Sequence, residues 1–319
     1  MKLSKKILAA LSAAALLATT ALFASCSDDE DDGKNGTAYV TLPESVGENP
    51  LKGKTWKYQY TDTYGDGSDS WSGTWSFTDT TATYTESETD HTNIETYKYS
   101  YDANQKLLYL ALQSEGWTED GETISWSSVE EYEEEMKKES EEEGWSVSEA
   151  TIECALEDVK QEFSTLEVNK YTIDDDGSLK LEDYFDGNLP TKCSFYKYID
   201  ESELTEEYTY GSVRSYDIWL EDSENMYRYE YFLSFNSEAK TFKGNMYSQK
   251  RPRGEDWGDA TKLGTVKGTY TTEGIGTSGC KVTLTFTALP DGVPALIKTN
   301  TAYELEQSSG SGTTYTLVE

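Results

Sequence analysis

The chain has 319 residues, with 60 Asp and Glu against 27 Lys and Arg and a formal net charge of −33. A surface of that sign repels nucleic-acid phosphates and anionic headgroups, which excludes nucleic-acid binding and leaves cations or a basic partner as the charged species it attracts. The length allows one large domain or two small ones, and 24 Tyr and 8 Trp against only 6 Pro favour pleated, half-buried strands.

Lys2, Lys5 and Lys6 precede an apolar run from Ile7 to Phe23, which ends in Phe23-Ala24-Ser25-Cys26. The run is at the short end for a spanning helix and the flank beyond it is acidic, as in a cleaved secretory leader. Small residues at Ala24 and Ser25 suit a peptidase that needs a slim, extended segment. The arrangement resembles the lipobox of bacterial lipoproteins in its relaxed, spirochaete-type form, with Phe23 where an aliphatic residue is usual. That resemblance implies a signal peptide over residues 1–25 and lipid attachment at Cys26. It also implies export and anchoring to a bacterial membrane, the outer membrane, facing the periplasm or the cell surface. The plainer alternative is a secretory signal with Cys26 incidental. Ser27-Asp28-Asp29-Glu30-Asp31-Asp32-Gly33 has nothing to pack, so residues 26–50 read as an acidic tether and linker.

From Thr55 onward apolar side chains alternate. Trp56, Tyr58 and Tyr60 share one face of a first strand; Trp71, Gly73, Trp75 and Phe77 share one face of a second. Tyr97, Tyr99 and Tyr101 lead into the turn Asp102-Ala103-Asn104-Gln105, followed by a strand from Leu107 to Leu112.

Two helices then interrupt the strands, an insertion at about 127–166. Ser128 with Glu131 fits a capping box. Val129, Tyr132 and Met136 lie on one face, with Glu133–Lys137 and Glu134–Lys138 at the spacing of favourable pairs. The second helix, about Ser148 to Leu166, carries an apolar stripe of Ile152, Leu156, Val159, Phe163 and Leu166 that must bury against a sheet or over a barrel end. The first has fewer apolar residues and reads as a surface helix or a cover.

Strands resume at Val168. Asp174-Asp175-Asp176-Gly177 marks a hairpin, and from Cys193 the reading is almost wholly strand, at 193–199, 213–220, 226–235, 239–248, 263–272, 280–288, 295–306 and 312–318. The halves look alike in order. Trp75-Ser76-Phe77 corresponds to Leu233-Ser234-Phe235, and a last hairpin turns at Asp174–Gly177 in one half and at Ser308–Gly312 in the other.

Gly53-Lys54-Thr55-Trp56, and Gly268-Thr269-Tyr270 followed by Val282-Thr283-Leu284-Thr285-Phe286, resemble the lipocalin-like modules of bacterial surface lipoproteins. The expected fold is therefore mainly β: an antiparallel up-and-down meander or barrel, in two tandem units. Residues 51–190 form the first, with the helical insertion, and residues 191–319 the second. Closure of such a meander removes exposed edges.

The chemistry-bearing residues are sparse. His91, the lone histidine, sits in the polar stretch Thr89-Asp90-His91-Thr92-Asn93 and reads as a loop residue without the orienting partner that a catalytic base needs. Asp62-x-Tyr64-x-Asp66-Gly67 has Gly73 where a calcium loop needs Glu, so it reads as a turn; no metal or cofactor is expected. Cys154, Cys193 and Cys280 remain after Cys26, an odd set in which at most one bridge is expected and buried thiols are the alternative. Lys250-Arg251-Pro252-Arg253 is the one basic cluster. Either it is a solvated connection, or Arg251, Arg253 and Trp257 rim a barrel mouth and contact an anionic or sugar-like ligand.

Three functions compete. The first is a membrane-anchored, non-enzymatic lipoprotein holding a small apolar or amphiphilic ligand inside a hollow barrel. The second is a surface adhesin or assembly module that meets a glycan or protein through exposed aromatics, with filled barrels. The third, least favoured because no catalytic motif stands out, is an enzyme.

Overall fold

A computed structural model describes residues 40–64, 67–87, 91–119, 122–143, 147–189, 195–198, 210–212, 218–221, 224–255, 257–293, 297–307 and 312–318. The first strands form a meander: β1 (Thr55–Tyr64), β2 (Gly67–Phe77), β3 (Thr81–Ser87), β4 (His91–Asp102) and β5 (Leu107–Glu119), each antiparallel to the next. Beyond β5 come β6 (Glu122–Trp126), helices α1 (Val129–Glu143) and α2 (Glu149–Ser164), then β7 (Leu166–Ile173) and β8 (Leu179–Asp183). β7 pairs with the first half of β5, while β6 pairs with its second half on the same edge.

The ring is closed from the far end of the chain. The C-terminal strand β17 (Thr313–Val318) lies between β1 and β8, antiparallel to both. Eight strands thus form a closed antiparallel barrel in the order β4-β3-β2-β1-β17-β8-β7-β5, with β6 appended to β5.

The second unit is an eight-stranded curled sheet. It comprises β9 (Phe195–Tyr198), β10 (Tyr210–Ser212), β11 (Ile218–Glu221), β12 (Asn225–Asn236), β13 (Thr241–Pro252), β14 (Thr261–Glu273), β15 (Lys281–Ala288) and β16 (Ala302–Gln307). Their spatial order is β10-β9-β16-β15-β14-β13-β12-β11, so β11 to β16 are a second meander.

The mainly-β architecture with two β units and a helical insertion is thus observed, and three expectations change in detail. No hairpin joins the last two strands around Ser308–Gly312, because β16 belongs to the curled sheet and β17 to the barrel. Alternation made 312–318 a strand; only the pairing partners reveal which sheet it completes. Part of the expected linker is packed: Val46 bridges Asp102 in parallel, and Val40 and Leu42 cover an outer patch of Leu107, Ala111, Leu166 and Val168. Leu166, expected to end the stripe of the second helix, instead opens β7 and faces that patch.

Inside the barrel, alternation buries Trp56, Trp75, Phe77, Tyr97, Leu108 and Leu110 in one cluster. Trp56 is fully buried, and its Nε1 donates to the Gly177 carbonyl at 2.9 Å, across the Asp174–Gly177 turn that joins β7 to β8. Gly73 is a matter of space: a Cβ there would lie 2.2 Å from the Tyr58 ring and 2.6 Å from the Tyr84 hydroxyl. The ring has room only because position 73 has no side chain.

The helices complete this core. The Ser148 Oγ caps α2 by accepting from Thr151 N at 3.2 Å. At α1, Ser128 Oγ accepts from Glu131 N at 3.2 Å, while the Glu131 carboxylate accepts from Ser127 N at 2.7 Å rather than closing a box on Ser128. Tyr132 and Met136 of α1 join the barrel cluster with Ala155, Val159 and Phe163 of α2. Lys137 pairs with Glu133 as expected, and Lys138 bonds Glu135 at 2.7 Å.

The opposite face of α2 lies on the outside of the curled sheet, where Cys154 packs with Phe232, Tyr247 and Ala260. Polar contacts run along the same seam: Ala260 N donates to Thr151 Oγ1 at 2.9 Å, Lys262 pairs with Glu153, and Asn245 Nδ2 donates to Glu157 Oε1 at 3.2 Å. One helix therefore packs into the barrel core with one face and onto the outside of the curled sheet with the other, which is why its sequence is apolar on more than a single stripe. The segment after β8 joins the units too: Phe185 pairs with Gly276 and is buried in the second core with Leu189.

Candidate functional site

Three regions are candidates: the barrel interior, the basic cluster at the end of β13, and the outside of the curled sheet. Among the described residues the barrel interior is occupied by one packed cluster of buried side chains. Toward one end its side chains turn polar but bond to one another. Tyr58 OH donates to Glu86 Oε1 at 3.3 Å, Tyr97 OH donates to Glu95, and Asn169 Nδ2 donates to Glu167 Oε1 at 2.8 Å. Tyr315 of β17 meets Tyr58 edge to face at 5.3 Å. Burial pushes the Tyr97 phenol well up, with the Glu95 charge adding to it. Tyr84 and Tyr315 are also raised, chiefly by burial. These phenols stay neutral across the physiological range, and those of Tyr97 and Tyr84 donate to Glu95 and Glu86. The second interior is likewise filled, by Tyr231, Leu233, Phe242, Met246, Val266 and Tyr270 among others.

Trp117 and Trp126 pack the insertion down: their rings meet at 5.1 Å, and Trp126 meets Tyr132 of α1 at 4.8 Å. His91 opens β4 opposite Glu119 rather than sitting in a loop. Its neighbours Thr92 and Asn93 also pair, so the polar composition misled where strand register decided. Among the described residues no group of three or more His, Cys, Asp and Glu is placed to hold a metal.

The basic cluster is not the loop expected: Lys250 to Pro252 are the end of β13, paired with Asn225 to Tyr227 of β12, because strand pairing extends through the charged residues; of the three expected ligand residues the structure brings two together. The Arg251 guanidinium stands 5.0 Å from the centre of the Trp257 ring and donates to Met226 Sδ at 3.1 and 3.3 Å. Trp257 and Met226 thus hold Arg251, a half-buried cation on an aromatic face. Arg253 is exposed, and its backbone N donates to the Glu224 carbonyl at 3.0 Å. The connection that follows runs into the N-terminus of α2 at Asp259 and Ala260. Cys26 and Cys193 lie outside the described residues. Cys154 and Cys280 are free, buried thiols. Burial raises both, and for Cys154 the Glu230 carboxylate, which accepts its S–H at 3.4 Å, adds to the shift. Beside it, Arg228 Nη2 bonds Glu230 Oε1 at 2.6 Å with both side chains buried, a desolvated pair that fixes how α2 seats on the sheet.

The outside of the curled sheet holds the feature that sequence reasoning missed. A groove of about 420 Å³ runs over β12 to β15 and is lined by Ser234, Asn236, Thr241, Lys243, Lys267 and Thr287 among others. Its position follows from strand parity. Phe242 and Gly268 face the core, so Lys243 and Lys267, one residue away on paired strands, face out. A Cβ on Gly268 would lie 2.3 Å from the Phe242 ring, so β13 and β14 can sit this close only with glycine there. Lys267 stands in a threonine-rich strand and Lys243 in one with a single threonine, and nothing in the linear sequence places them opposite each other.

No family model, no curated protein and no solved structure matches this chain. Among the described residues no helix is long and apolar enough to cross a membrane. The functional reading therefore rests on geometry.

Proposed function

We propose that this chain is an exported, non-enzymatic lipoprotein, anchored through a lipid on Cys26, whose folded part binds a glycan or protein on its outer surface rather than a small apolar ligand inside. The observation that supports this reading is that, among the described residues, each interior holds a packed cluster of its own side chains, while an open groove lies on the outside of the curled sheet. An apolar carrier needs an unfilled, apolar cavity. Here the first interior is closed over by Tyr132 and Met136 from α1 and by Val159 and Phe163 from α2. The anchor fits the same picture: a surface module needs tethering, and an acidic spacer keeps it clear of anionic headgroups.

Native mass spectrometry of the full-length chain, released from membranes with a mild non-ionic detergent, tests the choice between inside and outside. The expected spectrum contains the lipidated chain alone after detergent removal. A small apolar molecule retained at one per chain would return the reading to an interior carrier. The anchor is tested separately: Cys26→Ala should abolish incorporation of a labelled fatty acid and move the protein to the soluble fraction.

A further inference from the structure

We propose that the groove over β12 to β15 is a recognition site for an anionic glycan, one bearing carboxylate or sulfate groups, read by Lys243 and Lys267. The inference rests on the outer-surface reading above and assigns its ligand class.

The starting observation is an electrostatic anomaly. Lys243 and Lys267 are directly opposed residues of the antiparallel pair β13–β14. Side chains opposed in this way are close neighbours, and like charges there are destabilising. In a chain with 60 acids and 27 Lys and Arg, a carboxylate is the cheapest remedy. Elsewhere the chain uses it: Lys180 bonds Glu182 at 3.0 Å, and Lys281 bonds Glu304 and Glu306 at 2.8 and 2.9 Å. Among the described residues neither Lys243 nor Lys267 has such a partner. Around them stand neutral groups, Ser234, Asn236, Thr241, Thr269 and Thr287. Two uncompensated ammonium groups on one outward face, framed by hydroxyls and an amide, form a local positive site on a strongly negative protein.

The site is also held in shape. The β14–β15 register shifts between Lys267 and Gly268, so Thr287 is the extra residue of a bulge; its Oγ1 donates to the Lys267 carbonyl at 3.3 Å. Helix α2 occupies the neighbouring part of the same outer face over Phe232 and Tyr247, and its last polar contact on β13 is Asn245, two residues from Lys243. The groove is the stretch that the helix leaves uncovered.

Backbone pairing decides between a polysaccharide and an acidic peptide. β12, β13, β14 and β15 each have a hydrogen-bonded strand on both sides, so a peptide has no edge to extend. Recognition falls to side chains alone. The long lysine stems and threonine methyls supply apolar walls, with hydroxyls and charges at the rim, which suits a sugar ring carrying an acidic group. The negative remainder of the surface repels polyanions that do not reach the two lysines, and this confines binding to the groove.

The test measures binding of the full-length chain, in non-ionic detergent, to immobilised heparin, polygalacturonate, neutral dextran and poly-glutamate. At least one of the first two should bind, dextran and poly-glutamate should not, and affinity should fall as salt rises from about 50 to about 200 mM. Lys243→Glu with Lys267→Glu should reduce binding about ten-fold or more, and Lys243→Gln with Lys267→Gln should reduce it less. Lys137→Glu with Lys138→Glu on α1 makes the same change in net charge and should leave binding intact. Equal loss in both Glu pairs would reduce the effect to net charge and overturn the site. Tight poly-glutamate binding would replace the glycan with an acidic peptide. Binding of dextran that ignores both lysines would overturn the anionic ligand while keeping the outer-surface reading, whereas a retained apolar molecule in the mass spectrum strikes that reading itself.

Discussion

Tyr315 offers the sharpest check on the barrel, because it belongs to a strand that sequence order assigns to the other unit. It is 4% exposed, in the core cluster of the first barrel, with its ring edge to face with Tyr58 at 5.3 Å. Burying a tyrosine removes about 150 Å² of surface from water, which at about 25 cal/mol per Å² gives about 4 kcal/mol. A compact unfolded chain lowers that figure and the aromatic contact raises it, so Tyr315→Ala is expected to cost about 3 kcal/mol. With a urea slope of about 2 kcal/mol per M, the midpoint falls by about 1.5 M. Thr316, the next residue, is exposed on the other face of β17, and Thr316→Ala is expected to change the midpoint little. Urea unfolding followed by tryptophan fluorescence reads the result, because Trp56, Trp71, Trp75, Trp117 and Trp126 all lie in the first unit. Equal effects of the two substitutions, or no effect of Tyr315→Ala, would refute the insertion of this strand between β1 and β8.

Further outcomes follow from the insertion, the thiols and one buried acid. Phe163→Ala on α2 should destabilise by about 3–5 kcal/mol and speed proteolytic cleavage of the insertion, since Phe163 is almost wholly buried in the barrel core; a neutral effect in urea unfolding would deny that α2 contributes to it. Cys154 and Cys280 should resist iodoacetamide at mildly alkaline pH until the protein is unfolded, because burial disfavours their thiolates; peptide mapping that finds native Cys154 alkylated quickly would contradict the docking of α2 on the sheet. Asp186 is held above the usual carboxylate range by burial, against hydrogen bonds from Asn188. A carboxyl raised in the folded state contributes stability at low pH that is lost as pH rises past its unfolded value, so Asp186→Asn should raise Tm at about pH 7 and give no gain at about pH 3. A gain independent of pH would remove ionisation as the cause.

Much of the secondary structure was legible because it is local. Alternation at Trp56, Tyr58 and Tyr60 and at Trp75 and Phe77 marks β1 and β2, and the 3.6-residue stripe with its Ser148 cap marks α2. The hairpin at Asp174–Gly177 was equally readable from turn chemistry. His91 and the linker residues Val40, Leu42 and Val46 were misjudged because their partners lie far along the chain. The groove was illegible for the same reason. Lys243 and Lys267 are separated by a whole hairpin, and which residues of β13 and β14 oppose each other depends on a bulge after Met246.

Taken alone, the order of residues determined which stretches are strands, where the chain turns and which face of each element seeks the core, because side-chain alternation and turn geometry are properties of neighbours. Tertiary structure alone decided that β17 closes the barrel begun by β1, that α2 packs on both the barrel core and the outside of the curled sheet, and that two lysines meet on an open face. Those are statements about register and closure between distant segments, fixed by the free energy of burying complementary surfaces rather than by any local preference.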